Sequence, residues 1–506
     1  MRSVLWNWSS FAFSVAVTFV LSPFIVRELG DTNYGIWVLV GSLVGYLGLL
    51  DFGVRSAVTR YVARLHTGRS DQESSRLVST ALSIFGSLGL TALLASSVFA
   101  VLLGHRFHIP PSELGTARLV VVLGGLTMTS SLVSGAFGGV VVGLQRFDVS
   151  SKLEIVLGAL QALAIWLVLR DGGGIAGLAL IQLVTSTLRT IALAALAFRL
   201  YPELTIEWFA WNRQWAREIF SFSLFSTLIT FSTTLILYSD SLVIGVYLPA
   251  AEITLFSIAA SLTDYARNLI RGISTTMTPK ASATELTGAA AIAAVTVRAT
   301  RFATLLLLPI GVTFWLRGAA FIGLWMGPHY AAASGAVLRI LTLAMVFYAA
   351  SQVLGASLLG LSRHNWLVPV FIAEAVINLA LSILLVQRMG LVGIAWGTTV
   401  PNLVTSVVVF PWLARRLMGV PLRTYYFESW LRPLVAMAPF AAGTLLVERY
   451  WQAGNLASYF VGVLLVMPLA AAGAWAVALD PDERQMVVAL ARRGFGAGRA
   501  AAESAP

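Results

Sequence analysis

The sequence of 506 residues contains no cysteine and only five histidines. Without thiols there can be no disulfide, no thiolate nucleophile and no Cys-ligated zinc or iron–sulfur site. His66, His105, His108, His329 and His364 lie at the ends of apolar segments. His105 and His108 could share a helical face, but two imidazoles without a nearby carboxylate pair make a poor metal site. Charge is also scarce: Asp, Glu, Lys and Arg make up 11% of the chain, where soluble domains carry about a quarter. Hydrophobic residues make up 58% and mean hydropathy is +0.83. A water-soluble globular protein is excluded, and the bilayer is the main solvent. No G-x-x-x-x-G-K-[S/T] loop occurs to cradle phosphates, which argues against ATP-driven pumping by this chain.

Apolar runs of about twenty residues, enough to cross a hydrocarbon core as a helix, recur from end to end. Hydropathy gives fourteen candidate spans, near 4–26, 34–54, 77–103, 119–142, 153–170, 175–198, 218–247, 251–275, 299–316, 334–361, 366–387, 390–413, 432–448 and 454–479. The first is too long for a signal-peptide core and lacks a convincing cleavage site, so it is expected to be a retained span. With the N terminus inside, the cytoplasmic connections hold twenty-five of the 34 Lys and Arg residues and the outer connections eight, leaving Arg189 within a span. The positive-inside rule therefore expects both termini in the cytoplasm. The net charge of +11 follows from topology, not from a nucleic-acid partner.

The two halves repeat. Gly143-Leu144-Gln145-Arg146 returns as Gly360-Leu361-Ser362-Arg363, a shift of 217. Gly174-Ile175-Ala176-Gly177 returns as Gly390-Leu391-Val392-Gly393, a shift of 216. Asp51-Phe52 ahead of Arg55 returns as Asp264-Tyr265 ahead of Arg267 and Arg271, a shift of 213. The expected fold is an all-α polytopic membrane protein of about 14 transmembrane helices. It has two six-helix lobes, 1–210 and 211–420, related by a pseudo-twofold axis along the membrane normal, because an even number of spans per repeat preserves orientation. Helices 13 and 14 (421–479) are extra. In the cytoplasmic tail, 480–506, Met486, Val487, Leu490 and Phe495 among arginines suggest a surface helix.

Polar residues at membrane depth mark the functional candidates. Ser10, Ser14, Thr18 and Ser22 recur every four residues along span 1, and Ser223, Thr227, Thr230 and Thr234 form a comparable stripe on span 7. Small hydroxyl residues also permit close helix packing, but their pairing across the repeat favours a shared cavity. Pro23, Pro309, Pro401 and Pro411 remove backbone donors that lipid cannot replace, as bent helices around a cavity would tolerate. Arg189 lies about ten residues, roughly 15 Å, from the end of span 6, beyond easy snorkelling, so it should face water or a partner. Asp51 with Arg55 and Asp264 with Arg267 form local pairs. With Arg60 and Arg271 they also build a basic ring at the inner mouth, suited to phosphate because a guanidinium donates two parallel hydrogen bonds. Asp240 and Glu374, the latter one turn from Asn378, are candidates for proton or sodium coupling.

No outer connection is longer than the stretch 317–334, too short to carry the catalytic groups of a polymerase or ligase. The basic inner loops at 55–76, 199–217 and 414–432, with Tyr201, Trp208, Trp211, Trp215, Tyr425 and Tyr426, read as interfacial anchors. No catalytic residue, metal ligand or cofactor is expected.

Leu29-Gly30 followed by Tyr34-Gly35-Ile36-Trp37, then Leu49-Leu50-Asp51-Phe52-Gly53 with Arg60-Tyr61, and Leu324-Trp325-Met326-Gly327 with Tyr330 carry a resemblance. Over roughly residues 1 to 420 the chain resembles bacterial lipid-linked oligosaccharide flippases, including O-antigen and exopolysaccharide translocases, of the multidrug/oligosaccharidyl-lipid/polysaccharide exporter superfamily. The resemblance implies alternating access through a central cationic cavity and an undecaprenyl-diphosphate-linked glycan as cargo. It also implies residence in the bacterial cytoplasmic membrane, and partners that include membrane lipid and a polysaccharide polymerase complex. In that picture Arg55, Arg60, Arg267 and Arg271 attract diphosphate or acidic sugars, the hydroxyl stripes face the glycan, and helices 13 and 14 accommodate the lipid tail. The alternatives are a cation-coupled drug exporter of the same superfamily and a peptidoglycan lipid II flippase. The exporter is disfavoured because its relatives commonly use acidic residues in the first helix and span 1 contains none.

Overall fold

A computed structural model describes residues 2–207, 211–285, 288–485 and 488–489. Among them there are helices and turns but no strand, as expected where no water is present to satisfy a backbone group left unpaired. In chain order the first helices are α1 (Arg2–Leu47), α2 (Val54–Thr67), α3 (Asp71–Arg106), α4 (Pro111–Gly143), α5 (Phe147–Arg170) and α6 (Gly174–Leu200). They are followed by α7 (Arg213–Tyr247), α8 (Ala250–Glu285), α9 (Ala289–Trp325), α10 (Ala331–Gly360) and α11 (Leu367–Met389). Next, α12 (Leu391–Val404) runs through a π-helical turn into α13 (Phe410–Met418), and α14 (Leu422–Tyr426) does the same into α15 (Arg432–Ala436). The last two are α16 (Ala438–Tyr450) and α17 (Leu456–Gly473).

Twelve described segments are long and apolar enough to cross a membrane, against the fourteen expected. Two causes account for the difference. The first two expected spans join into one long helical segment, Ala12–Thr67, and α8 falls short in apolar character although it is a continuous helix of 36 residues. The join is not straight. Gly30 adopts φ 71°, ψ 166° inside α1, a conformation that admits glycine, so two helices meet there at a kink. A second break follows α1, where a short 3-10 turn (Gly48–Asp51) leads into Phe52 and Gly53, both left-handed, before α2 begins.

Packing groups the chain into two compact units: Met1–Ser261 with His364–Pro401, and Leu262–Arg363 with Asn402–Pro506. These units are drawn by contact, and the repeat boundaries at 210 and 420 by sequence pattern, so they are separate descriptions. The core of the first unit includes Val54, Val58, Phe85, Phe137 and Ile219, all buried. Its linker between α6 and α7 is fastened to α3. The Thr205 and Glu207 amides donate to the Ser75 and Ser79 hydroxyls at 3.1 and 3.0 Å. The Tyr201 hydroxyl donates to Asp71 at 2.5 Å and the Trp215 indole to Glu73 at 2.9 Å. Burial and then the Asp71 carboxylate push the Tyr201 hydroxyl up to about 12. Tyr201, Trp215 and Tyr425 are therefore buried, not interfacial anchors as their composition suggested. Acidic first-turn residues of α3 give Tyr201 and Trp215 polar partners inside the protein. Trp211 is exposed, and Trp208 lies outside the described residues.

In the second unit α9 is the helix on which α16 and α17 assemble, with Leu308, Phe440 and Val466 in their shared core. Near one end of α9 Arg301, 3% exposed, meets Glu428, Asp480 and Glu483 at 2.8, 2.9 and 2.5 Å. Arg432 adds contacts to Glu428 and Asp480 at 2.5 and 2.9 Å. Burial alone would raise the Asp480 carboxyl, but the two guanidiniums outweigh it and hold it below its ordinary value. Near the other end Arg317 donates to Glu448 at 2.6 Å and lies 4.5 Å from the Tyr459 ring. Arg298 also meets Glu483, at 2.9 Å, so the chain that follows residue 420 is tied to all three arginines of α9. The tail residues Met486, Val487, Leu490 and Phe495 lie outside the described residues.

Candidate functional site

The hydroxyl residues of α1 and the arginine of α6 meet. A cavity of about 360 Å³ in the first unit is lined by Ser10, Phe13, Ser14, Val17, Thr18, Leu21 and Ile25 of α1, by Glu154, Gly158, Gln161, Ala162 and Ile165 of α5, and by Arg189 of α6. A second cavity of about 470 Å³ shares Ser10, Ser14 and Glu154 with it and adds Val142, Phe147, Ser150 and Ser151. Helical periodicity explains the lining of α1: Ser10, Ser14 and Thr18 are four apart and fall on one face. Thr18 donates its hydroxyl to the Ser14 carbonyl at 2.9 Å and Ser22 to the Thr18 carbonyl at 2.7 Å. This is the usual way a mid-helix hydroxyl avoids an unmet donor.

Arg189 donates from Nη2 to Glu154 Oε2 at 2.8 Å, with the two side chains 36% and 41% exposed. Its Nε is shut off from solvent and has no acceptor. The sequence reading missed Glu154. The available signal was an opposite charge at matching depth on the neighbouring span, 35 residues earlier. Because the pair is internal, the cavity wall holds one positive and one negative charge instead of an isolated cation.

The other candidates do not line this cavity. Thr227 is half-buried and Thr230 exposed, both on α7; the side chain of Ser223 lies outside the described residues. Arg55 sits at the start of α2, its guanidinium 3.8 Å from Asp51 and its amide donating to that carboxylate at 3.2 Å, so Asp51 acts as a cap for α2. Arg60 is exposed on the same helix. In the second unit Arg267 lies 3.5 Å from Asp264 and 5.0 Å from the Tyr348 ring. The side chain of Arg271 lies outside the described residues.

Asp240 and Glu374 occupy a separate place in the first unit, where α7 packs on α11 and α12. Both are 6% exposed. The Thr398 hydroxyl reaches both Asp240 oxygens, at 2.9 and 2.8 Å. Next to Asp240, Ser239 donates to Asn378 Oδ1 at 3.1 Å, leaving Asn378 Nδ2 buried without a partner. The cluster is therefore a buried polar network rather than a solvent-facing acid pair.

A sequence model of a family described as "Polysaccharide biosynthesis protein" matches residues 1–285, more than half of the chain. The chain belongs to that family. It is similar over 429 residues to the "Putative O-antigen transporter" of Shigella flexneri, at 19% identity, with 83% of this chain and 99% of that protein covered. Among solved structures, a lipid II flippase MurJ in an inward closed conformation matches with a TM-score of 0.73 at 12% identity, covering 93% of this chain and 98% of that one. An inward-facing multidrug resistance MATE family transporter of the MOP superfamily matches with a TM-score of 0.72 at 16% identity, covering 80% and 95%. At these identities the structures establish the family member's fold: a multi-pass helical protein of the kind found among flippases and transporters.

Proposed function

We propose that the chain is a flippase that moves a polyprenyl-diphosphate-linked oligosaccharide across the bacterial cytoplasmic membrane for cell-surface polysaccharide synthesis. Family membership across residues 1–285 carries this reading. The polar cavity along α1, α5 and α6 supports it, because hydroxyl groups and a charged pair within apolar helices suit a hydrated glycan better than a hydrophobic cargo. With both termini cytoplasmic, as the arginine distribution favours, Arg55, Arg60 and Arg267 lie on the side from which a diphosphate would arrive. Arg271 joins them by its place in the sequence. Asp240 and Glu374, buried beside Thr398 and Asn378, are the groups for proton or sodium coupling. A polysaccharide polymerase is the partner expected to consume the flipped product.

The test is to deplete the protein in its native glycan-producing host and measure lipid-linked oligosaccharide on each leaflet by surface labelling and mass spectrometry. Accumulation on the inner leaflet, rescued by wild type but poorly by Arg267→Ala, is the expected result. An unchanged distribution together with lost resistance to a cationic dye would replace the flippase with a drug exporter.

A further inference from the structure

The Glu154–Arg189 pair has a consequence for the kind of sugar the cavity accepts. Among the described lining residues of the α1/α5/α6 cavity these are the one acid and the one base. They neutralise each other at 2.8 Å. The remaining polar groups, on Ser10, Ser14, Thr18 and Gln161, are uncharged, while Phe13, Leu21 and Ile165 supply apolar walls. The volume, about 360 Å³, falls within the range of small-molecule pockets, roughly 300–1,000 Å³.

We propose that this cavity is a glycan subsite in which the Glu154–Arg189 pair selects uncharged sugar residues over acidic ones; this rests on the flippase reading and specifies its cargo. An uncharged sugar offers both donors and acceptors. Its hydroxyls can donate to the outer face of the Glu154 carboxylate and accept from the exposed part of the guanidinium. The carbon face of a pyranose packs against the apolar walls. A uronic acid gains little from Arg189, whose charge is already engaged, and must be desolvated beside the Glu154 carboxylate. Removing the negative partner turns the same wall cationic and inverts the preference. Arg189 thus acts here as half of a charge filter rather than as an anion hook.

The absence of cysteine from the whole chain permits a direct test. The exposed Thr18 is replaced (Thr18→Cys) in the full-length protein in lipid nanodiscs, and the rate of alkylation by N-ethylmaleimide is followed. The probes are maltotetraose, which is uncharged, and a tetrasaccharide of alternating glucuronic acid and N-acetylglucosamine. Maltotetraose at about twice its dissociation constant should slow alkylation about threefold, and the acidic tetrasaccharide should require about tenfold more for equal protection. Adding Glu154→Gln should reverse the order of the two probes. The double change Glu154→Gln with Arg189→Met should leave maltotetraose protective and the acidic probe poor. Equal protection by both probes in the Thr18→Cys protein, protection by neither, or an order unaltered by Glu154→Gln would overturn the charge filter. None of these results bears on leaflet accumulation, which tests the flippase reading separately.

Discussion

The sequence writes the same acid–aromatic pair twice, and the backbone treats the two copies differently. At Asp51-Phe52 the helix stops: Phe52 has φ 45° and Gly53 φ 74°, and Asp51 caps the next helix through the Arg55 amide. At Asp264-Tyr265 the α8 helix passes through unbroken, and the acid instead makes a side-chain pair with Arg267 one turn on. The residue after the aromatic differs, Gly53 in the first copy and Ala266 in the second. A left-handed residue other than glycine costs roughly 1–2 kcal/mol, so alanine keeps the second copy helical. The first copy tolerates that conformation at Phe52 because glycine shares the turn and the Asp51 carboxylate satisfies an amide at the start of α2. A retained charge motif has come to serve as a helix cap in one place and as an ion pair along a helix in the other.

Breaking the first copy at its glycine should have the largest effect. Gly53→Val places a β-branched side chain in the left-handed region and should cost about 2 kcal/mol or more, lowering the thermal midpoint of the detergent-solubilised protein. Ala266→Gly tests the converse. A glycine inside α8 should destabilise the second unit by about 1 kcal/mol and speed hydrogen exchange along residues 262–270, whereas unchanged exchange would mean that position 266 does not decide between joint and rod. The two acids sharpen the comparison most finely. Asp51→Ala removes a cap worth about 1 kcal/mol, while Asp264→Ala removes a partly exposed pair worth about 0.5 kcal/mol. If thermal unfolding shows equal losses, the two carboxylates do the same job after all.

The helices were legible because apolar runs of about twenty residues have few alternatives in a bilayer. The kink at Gly30 was not, since a hydropathy profile records no dihedral angle. Nor was the fate of Tyr201 and Trp215, whose burial depends on Asp71 and Glu73 more than a hundred residues earlier. In the cavity, the stripe of Ser10, Ser14 and Thr18 and the depth of Arg189 could be read from spacing alone. The charge of the cavity could not, because it turns on Glu154, a contact between two helices. Thr227 and Thr230 show the opposite limit: a periodic stripe defines a face without saying what that face meets.

Arg301 and Arg317 bracket the middle of α9, 16 positions apart, about 24 Å at 1.5 Å per residue. Each is held by carboxylates from the helices or tail that follow, so these two charged collars cannot slide apart without losing their partners. The helix is in effect a ruler. Inserting or deleting one residue between them would turn one arginine about 100° away from its carboxylates, so the length of this stretch is fixed to the residue.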